Sequence, residues 1–392
     1  MAPATPATKP KHRITCRHCG KRPRMSSRTA KFCNATCRSQ ARNASRRVTY
    51  LYNATHSPFF QELARQAVRA GTDLIYKGFT QEDLEALYDV YALAQKYNGY
   101  GERKKAGFAP FELSHIHPVR GESTVGLFRA DNLIIAPRGM NRKHGASHFA
   151  GGASIPRSQL DPRHHLSKDS SEADVIARIV KMIGEPIVLA VVESRRIQPA
   201  KRHALVLWLQ EHLSRDNPEH IKHFQAVESA TATVLASIKR EVQGKEPIGG
   251  GWVPRFSEEL PVLLAEWERV GLAYRAELLP AIERLRFIEA NTGGRFYIEF
   301  DQDELQTIFD VLHGKPVSML TPLVDAQQAK ALSRDMVYRP TPELKALRQS
   351  NSVPRVIGHF ARELDGEATD HVPRFTGKPA YAYVGDVPLW SL

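Results

Sequence analysis

All four cysteines of this chain lie between positions 16 and 37, which leaves the N-terminal segment few ways to fold. They form a C-x2-C pair, Cys16 and Cys19, and a C-x3-C pair, Cys33 and Cys37. Two such pairs bring four sulfurs to one point across tight turns, which is the tetrahedral arrangement that a zinc ion requires. Gly20 suits the first turn because glycine accepts a positive φ. The spacing therefore predicts a structural zinc site with no open position for chemistry.

Two alternatives to a zinc site are a redox C-x-x-C motif and four unpaired thiols. A redox motif requires a thioredoxin-like strand and helix, and the surrounding residues do not have that pattern. Residues 38–47 form a basic run that predicts a helix beginning at the second cysteine pair. With this helix, the cysteine segment resembles small treble-clef and zinc-ribbon modules. The resemblance implies a module that Zn²⁺ holds together and that does not itself catalyse.

Positive charge is concentrated at the same end of the chain. Residues 1–50 contain 13 lysines and arginines and no acidic residue, and residues 51–150 contain 12 basic and 10 acidic residues. Residues 151–392 are close to neutral, with 30 basic and 32 acidic residues. Clustered basic side chains release counterions when they bind a polyanion, so the pattern indicates a nucleic acid partner. A basic tail that serves only solubility is the alternative interpretation.

Length and composition indicate a globular protein of two or three domains. Of the 392 residues, 42% are hydrophobic and 25% are charged, which is typical of folded rather than disordered chains. The longest apolar run, at 187–192, is far too short to cross a bilayer. The first ten residues lack the apolar segment of a secretory signal. We therefore expect a cytoplasmic protein with no membrane partner, and not a secreted disulfide scaffold.

Hydrophobic periodicity predicts that most of the chain is helical. One helix is expected at 58–70, and another opens with a capping box at Thr80 and Asp83 and runs to about Lys96. A short strand is expected at 296–300. The Gly-, Ser-, Pro- and His-rich stretch 151–171 is typical of a linker. Further helices are expected at 172–183, 201–214, 219–242, 257–290 with an interruption near Pro280, 302–312, 324–337, 342–349 and 354–364.

The stretch 111–145, FELSHIHPVRGESTVGLFRADNLIIAPRGMNRKHG, has a different pattern. Its opening residues are typical of a short strand that Pro118 closes. A glycine-containing loop follows, and then a second apolar run at 133–136. A basic and helical piece begins near Arg138. The order strand, loop, strand, helix predicts a compact ββα unit.

The residues of this unit resemble the motif of the HNH nucleases, whose ββα-metal finger cuts phosphodiester bonds with one divalent cation. The family pattern is [D/H]-H-I-x-P, a glycine-bearing loop, an N-L pair, and then H or N on the helix. The match covers about 35 of the 392 residues. The matching residues of this chain are His115, Ile116, Pro118, Gly121, Asn132, Leu133 and Asn141.

The resemblance implies a role for three of these residues. His115 would be the general base that takes a proton from the attacking water. Asn132 would brace the loop through hydrogen bonds to the backbone and so hold His115 in line. Asn141 would offer its carbonyl oxygen to the cation, as in the Asn-ending variants of the family. The cation would be Mg²⁺ or Mn²⁺, a hard ion that keeps several waters and needs few protein ligands.

The chain departs from the family pattern immediately before the expected base. Ser114 stands where the family has the Asp or His that ligates the metal. Three replacements are open: Ser114 could bind through a water, His117 could substitute for it, or His144 could turn in from the helix. A fourth alternative is a degenerate site in a fold that only binds DNA.

Eight basic side chains are expected to contact DNA phosphates. Four belong to the basic run after the cysteines, and four lie in or beside the ββα unit. Such contacts supply affinity largely without sequence information. They are Arg38, Arg42, Arg46, Arg47, Arg120, Arg138, Arg142 and Lys143.

These patterns together predict an α+β protein with four segments. The segments are a basic four-cysteine zinc module at 1–50, a helical segment plus the ββα-metal HNH unit at 51–150, a linker at 151–171, and a mainly α-helical C-terminal half at 172–392. We expect a metal-dependent HNH-type endonuclease acting on duplex or branched DNA in a bacterial or phage-infected cell. The alternatives are a non-catalytic zinc-containing DNA-binding protein and an RNA-directed nuclease. The role of 172–392 and the oligomeric state, for which a homodimer is one arrangement, are left open.

Overall fold

The computed structural model describes an α+β protein in which helices predominate and strands are few and short. The chain divides into a first compact unit, Met1–Glu62 with Ile183–Ile248, and a second compact unit, Leu63–Met182 with Gly249–Leu392. These units differ from the segments expected from the sequence, because the C-terminal half contributes to both. The described residues are 12–25, 27–100, 110–246, 255–291 and 297–333.

The described helices are, in chain order, α1 (Ala35–Thr55), α2 (Pro58–Ala70), α3 (Gln81–Tyr97), α4 (Arg138–His144), α5 (Glu172–Ile183), α6 (Glu185–Ser194), α7 (Lys201–His212), α8 (Pro218–Ser229), α9 (Ala232–Val242), α10 (Glu259–Ala273), α11 (Leu279–Asn291), α12 (Gln302–Leu312) and α13 (Leu320–Ser333). The described strands are β1 (His12–Arg13), β2 (Arg24–Met25), β3 (Phe111–His115), β4 (Thr124–Gly126), β5 (Leu133–Pro137) and β6 (Ser154–Pro156). The strands form three antiparallel pairs, β1 with β2, β3 with β5, and β4 with β6. None of the described helices combines the length and the hydropathy that a membrane crossing requires.

Several predicted helices are confirmed, and they are the ones with strong local signals. α2 covers 58–70, and α5 and α12 cover 172–183 and 302–312. The capping box of α3 is present. The Thr80 hydroxyl accepts a hydrogen bond from the Asp83 amide, and the Asp83 carboxylate accepts one from the Thr80 amide.

Other helices depart from the predicted pattern. The helix expected at 219–242 is two helices, because α8 ends before Ala230 and the Thr231 hydroxyl begins α9 by accepting a hydrogen bond from the Val234 amide. The interruption expected near Pro280 is present between α10 and α11. α6 has no counterpart among the predicted helices, because its continuous apolar run lacks the period of an amphipathic helix.

The strand expected at 296–300 does not form in its described residues, 297–300, so that prediction is wrong. The backbone here has a side-chain partner in place of a neighbouring strand. The Gln327 amide of α13 donates to the Glu299 carbonyl at 2.6 Å and accepts from the Glu299 amide at 3.5 Å. Phe296, the last part of 324–337, and the helices expected at 342–349 and 354–364 lie outside the described residues.

The segment 151–171, expected to be a linker, belongs to the second unit and contains β6. His164 Nδ1 lies 2.7 Å from one carboxylate oxygen of Asp73, and the other oxygen accepts a hydrogen bond from Arg178 at 2.9 Å. Asp73 is only 1% exposed. These contacts therefore attach the segment to the helices of the unit.

In the first unit, α1 contacts α6 through two ion pairs. Arg46 pairs with Glu193, and Arg47 pairs with Glu185. A separate apolar core joins α7, α8 and α9. The helix that follows the cysteines is thus supported by residues that come much later in the chain.

In the second unit, the order strand, strand, helix expected from the sequence is present as β3, β5 and α4. His115 lies opposite Leu133 in the antiparallel register. Ile134 and Ala136, which share one face of this pair, belong to a buried core with Trp267 of α10. That core extends to α11, α12 and α13. The C-terminal helices therefore cover one face of the strand pair.

Two charged side chains of α10 close the outer edge of β5. The Glu266 carboxylate accepts a hydrogen bond from the Ile135 amide at 2.8 Å, and the Arg269 guanidinium donates to the Leu133 carbonyl at 2.7 Å. Glu266 is fully buried and also pairs with Arg269 at 2.7 Å. Because an open sheet edge invites association with other chains, this pair protects the strand.

Replacing Glu266 with leucine is expected to lower the free energy of unfolding by about 3–5 kcal/mol, because the change breaks an ion pair whose acidic member is fully buried and removes the acceptor of the buried Ile135 amide. Chemical denaturation followed by circular dichroism measures the difference. Arg284→Leu is the matched control, since it removes an exposed pair with Asp325 and should cost less than about 1 kcal/mol. An effect at Glu266 no larger than the control would contradict the structural role of the buried pair.

Candidate functional site

The four cysteines of the first unit converge, as the spacing predicts. Their sulfur atoms all lie within 4.8 Å of one another, and all four are free thiols. In the described part of the chain, no other group of three or more His, Cys, Asp or Glu residues could hold a metal ion. This four-cysteine group can therefore hold a metal ion, and a set of four thiolates fits zinc.

Local backbone geometry positions these cysteines. Gly20 has a φ of 70°, and its amide donates to the Cys16 carbonyl at 3.0 Å, which closes the turn of the first pair. Asn34 caps α1 by accepting a hydrogen bond from the Cys37 amide at 2.8 Å. The Cys19 backbone amide lowers the pKa of Cys16 to about 6, which favours the thiolate form that binds metals.

The four arginines expected to contact DNA from the basic run all lie on α1. Arg46 and Arg47 are paired with glutamates of α6. Arg38 and Arg42 are exposed, and no acidic side chain among the described residues forms an ion pair with either. Of the four, Arg38 and Arg42 are thus the ones open to a polyanion.

In the second unit, the Asn132 side chain forms hydrogen bonds with the backbone of the loop that follows β3. Its Oδ1 accepts a hydrogen bond from the His117 amide at 2.8 Å. Its Nδ2 donates to the Leu127 carbonyl at 2.7 Å and to the His117 carbonyl at 3.2 Å. Because Asn132 is fully buried, these bonds fix the loop between β3 and β5 without competition from water.

His115, the expected base, is the last residue of β3 and is 7% exposed. Its ring centroid lies 5.7 Å from that of Phe128, and its Nε2 has no hydrogen-bond partner in the described structure. Burial, together with the positive charge of Arg69, lowers the pKa of His115 to about 3. The imidazole is therefore neutral at neutral pH and can accept a proton, although burial makes it a weak base.

His117, one of the three replacements for the missing metal ligand, has partners of its own. Its Nε2 lies 2.6 Å from the Thr124 hydroxyl, and its ring centroid lies 4.2 Å from that of His148. A strand that continued to His117 would place the His115 and His117 rings on one face. The strand ends at His115, and the two rings have different neighbours.

Ser114 lies on the opposite face of β3 from His115, because side chains alternate along a strand. Its hydroxyl lies 2.8 Å from Nε2 of His313, a residue that follows α12 and is fully buried. Nδ1 of His313 lies 2.8 Å from the Phe309 carbonyl. Burial lowers the pKa of His313 to about 3, so this imidazole is neutral as well.

His144, the replacement expected from the helix, lies beside His313. Their ring centroids are 4.7 Å apart. His144 is 8% exposed, and its Nε2 has no hydrogen-bond partner in the described structure. Phe149 and Phe309 also contact its ring edge-on. Of the proposed replacements, the structure thus brings His144 near Ser114 and gives His117 other contacts.

Asn141, on α4, faces the same side of β3 as Ser114. Its Nδ2 donates to a carboxylate oxygen of Glu112 at 2.9 Å, which leaves its carbonyl oxygen as the atom that could face a cation. Glu112 also lies 3.3 Å from the Arg138 guanidinium and 3.9 Å from that of Arg142. These two arginines therefore have an acidic neighbour within the unit.

The two other basic residues expected to contact DNA here lie at the surface. Arg120 is exposed and donates to the Arg69 carbonyl at 3.2 Å. Lys143 is exposed on α4, and no described acidic side chain pairs with it. Both are accessible to a phosphate backbone.

Two residues of this site are missing from the sequence prediction. Glu112 precedes Ser114 by two positions, so the alternation of a strand would have placed it on the same face. The sequence has no such signal for His313, because His313 and Ser114 are separated by 199 positions in the chain. The contact between Ser114 and His313 shows that the C-terminal half does more than pack against the ββα unit. It also contributes a side chain to the unit.

No family model, no curated protein and no solved structure matches this chain. The ββα geometry and the four-cysteine group are therefore the features that bear on function.

Proposed function

We propose that this protein is a metal-dependent HNH-type endonuclease that hydrolyses DNA phosphodiester bonds. The observation that carries the proposal is the set of three hydrogen bonds between Asn132 and the loop after β3, one accepted and two donated by its side chain. They hold the chain on either side of His117, two residues beyond His115. An asparagine used in this way, between a strand that ends in histidine and a second strand followed by a helix, is the arrangement that the HNH resemblance implies.

In this proposal, His115 accepts a proton from water. The water oxygen then bonds to phosphorus, and one ester oxygen leaves with its bonding electron pair. The neutral state and the unpartnered Nε2 of His115 support the assignment. Since Nε2 is buried, binding of DNA has to open a path for water. That opening would also raise the basicity of the ring, because burial is what depresses its pKa.

The proposal includes a divalent cation, and Asn141, Ser114 and His144 are the residues that would hold it. Such an ion neutralises the negative charge that develops on the phosphate during cleavage. The unpartnered Nε2 of His144 supports this, because buried polar atoms without hydrogen bonds are uncommon and often mark a missing ion or water. Serine and amide oxygens are acceptable to hard cations.

The four-cysteine group fits the proposal as a structural zinc module that contacts DNA. Arg38 and Arg42 are exposed on the helix that begins at the second cysteine pair. Such arginines attract any nucleic acid through its phosphates. The module would therefore supply affinity, while the ββα unit would supply the chemistry.

The test of the proposed function is cleavage of a supercoiled plasmid by the zinc-loaded, full-length protein. We expect conversion to the nicked or linear form when Mg²⁺ or Mn²⁺ is added, and no conversion when the free divalent cations are chelated. Branched DNA should be tested in parallel, because the proposal includes branched substrates. Binding without cutting, with every cation and every DNA structure, would contradict a nuclease.

A non-catalytic DNA-binding protein is the second candidate, and one observation favours it. The Ser114 hydroxyl, at the position of the usual metal ligand, is occupied by a buried contact with His313. This candidate expects DNA affinity that is indifferent to added Mg²⁺. An RNA-directed nuclease would instead prefer structured RNA over duplex DNA in a competition binding experiment.

A further inference from the structure

Three buried histidines lie around the end of β3 and the end of α4. His115 is on one face of the strand. His144 and His313 are together on the other face, where Ser114 also points. All three are less than 9% exposed. The two histidines beside Ser114 have no acidic hydrogen-bond partner in the described structure.

The hydrogen bonds of His313 fix which of its nitrogens carries the proton. Its Nδ1 faces the Phe309 carbonyl at 2.8 Å, and a carbonyl oxygen can only accept. Nδ1 therefore donates, so Nε2 of the neutral ring accepts the hydrogen bond of the Ser114 hydroxyl. A cation bound to Nε2 would take the place of the hydroxyl proton, with Ser114 Oγ as a neighbouring oxygen. Metal-binding histidines typically donate one ring N–H to a backbone carbonyl and coordinate through the other nitrogen. His313 has this arrangement without being part of the ββα unit.

His144 supplies a second nitrogen at the same place. Its Nε2 is buried and makes no hydrogen bond in the described structure, and its ring centroid is 4.7 Å from that of His313. The hydroxyl of Ser114 adds an oxygen. His115 does not join His144 and His313 as a third ligand. A set of three would form a group of convergent His, Cys, Asp or Glu side chains, and the four-cysteine group is the one such group among the described residues.

We propose that His313 supplies the ligand that the Ser114 position lacks, and that His313 and His144 together bind the cation of the ββα unit. The catalytic role of this cation rests on the proposed function, whereas its binding to the two histidines does not. Two imidazole nitrogens select transition-metal ions over Mg²⁺, which prefers oxygen ligands and gives up its waters reluctantly. The ion bound here is therefore of the Mn²⁺ to Ni²⁺ type.

The test is calorimetric titration of Ni²⁺ and of Mg²⁺ into tag-free, full-length protein that carries one equivalent of zinc, the amount that the four-cysteine group can hold. We expect a one-to-one Ni²⁺ site that binds at least about tenfold more tightly than Mg²⁺. His313→Gln and His144→Gln should each weaken Ni²⁺ binding by about 10- to 100-fold. His165→Gln, which changes an exposed histidine, is the matched control and should leave the affinity unchanged.

The two variants protect the test against misfolding. His313→Gln disturbs a contact with Ser114, so thermal unfolding must be measured alongside. Because His144 Nε2 makes no hydrogen bond in the described structure, His144→Gln removes none at that atom. This variant therefore decides the result if His313→Gln is unfolded. Ni²⁺ affinity that is equal in the wild type, in a folded His313→Gln variant and in His144→Gln would overturn the inference.

Plasmid cleavage, measured on the same preparations, separates this inference from the proposed function. Histidine-dependent Ni²⁺ binding without cleavage by any cation would support the site and contradict the nuclease. Cleavage with Mg²⁺ that is unaffected by either histidine variant, together with unchanged Ni²⁺ affinity, would support the nuclease and overturn the site.

Discussion

The His115→Ala variant is expected to lose DNA cleavage and to keep DNA binding. A positioned general base typically contributes about 10²–10⁴-fold to the rate, so the rate of plasmid nicking should fall by at least about 100-fold. Binding should persist, because the exposed arginines Arg38 and Arg42 are in the other compact unit. Single-turnover nicking and fluorescence anisotropy with a labelled duplex measure the two properties.

Because His115 is buried, its substitution also needs a folding control. His115→Asn keeps a polar group of intermediate size and should show the same loss of cleavage with a smaller loss of stability. His165→Ala is the matched histidine control, since His165 is exposed, and this variant should cleave at the wild-type rate. Full cleavage by a folded His115→Ala variant would remove His115 from the mechanism.

Loss of one cysteine is expected to abolish metal binding at the four-cysteine group and to weaken DNA binding. In the Cys16→Ser variant we expect one equivalent less of bound zinc. The affinity for duplex DNA at low salt should fall by about tenfold or more, because binding of a structural zinc ion supplies much of the folding energy of such modules. Elemental analysis and anisotropy titrations at several salt concentrations test both expectations.

The matched control for Cys16→Ser is Asn43→Ala, which changes an exposed residue of α1 and leaves the four thiols in place. It should retain zinc and wild-type affinity. A zinc-free Cys16→Ser variant that binds DNA as tightly as the wild type would show that the four-cysteine module is not the DNA contact, and the basic charge of the N-terminal segment would then need another explanation.

Features with local causes could be predicted from the sequence. The capping box of Thr80 and Asp83 begins α3, and the two cysteine pairs converge because each pair spans a short turn. The strand, strand, helix order of the ββα unit likewise follows from apolar runs and breakers in one short stretch. In each of these examples, the side chains that decide the structure lie within a few tens of residues of one another.

Features that depend on distant partners could not be predicted. Ser114 meets His313 from 199 positions away, and no periodicity reports such a contact. The stretch 297–300 has strand-like residues, but its backbone partner is the side chain of Gln327. The compact units likewise join distant parts of the chain, since Ile183–Ile248 belongs to the same unit as Met1–Glu62.

The contact between α10 and the edge of β5 determines how the ββα unit can be moved between proteins. A gene fragment that stops near residue 150 would encode both strands but neither Glu266 nor Arg269. Its product would carry an uncapped strand and an uncovered apolar face. The ββα unit of this protein therefore does not fold independently of the C-terminal helices. A recombination event or an engineered chimaera that moves the unit to another protein has to include α10 and the helices after it.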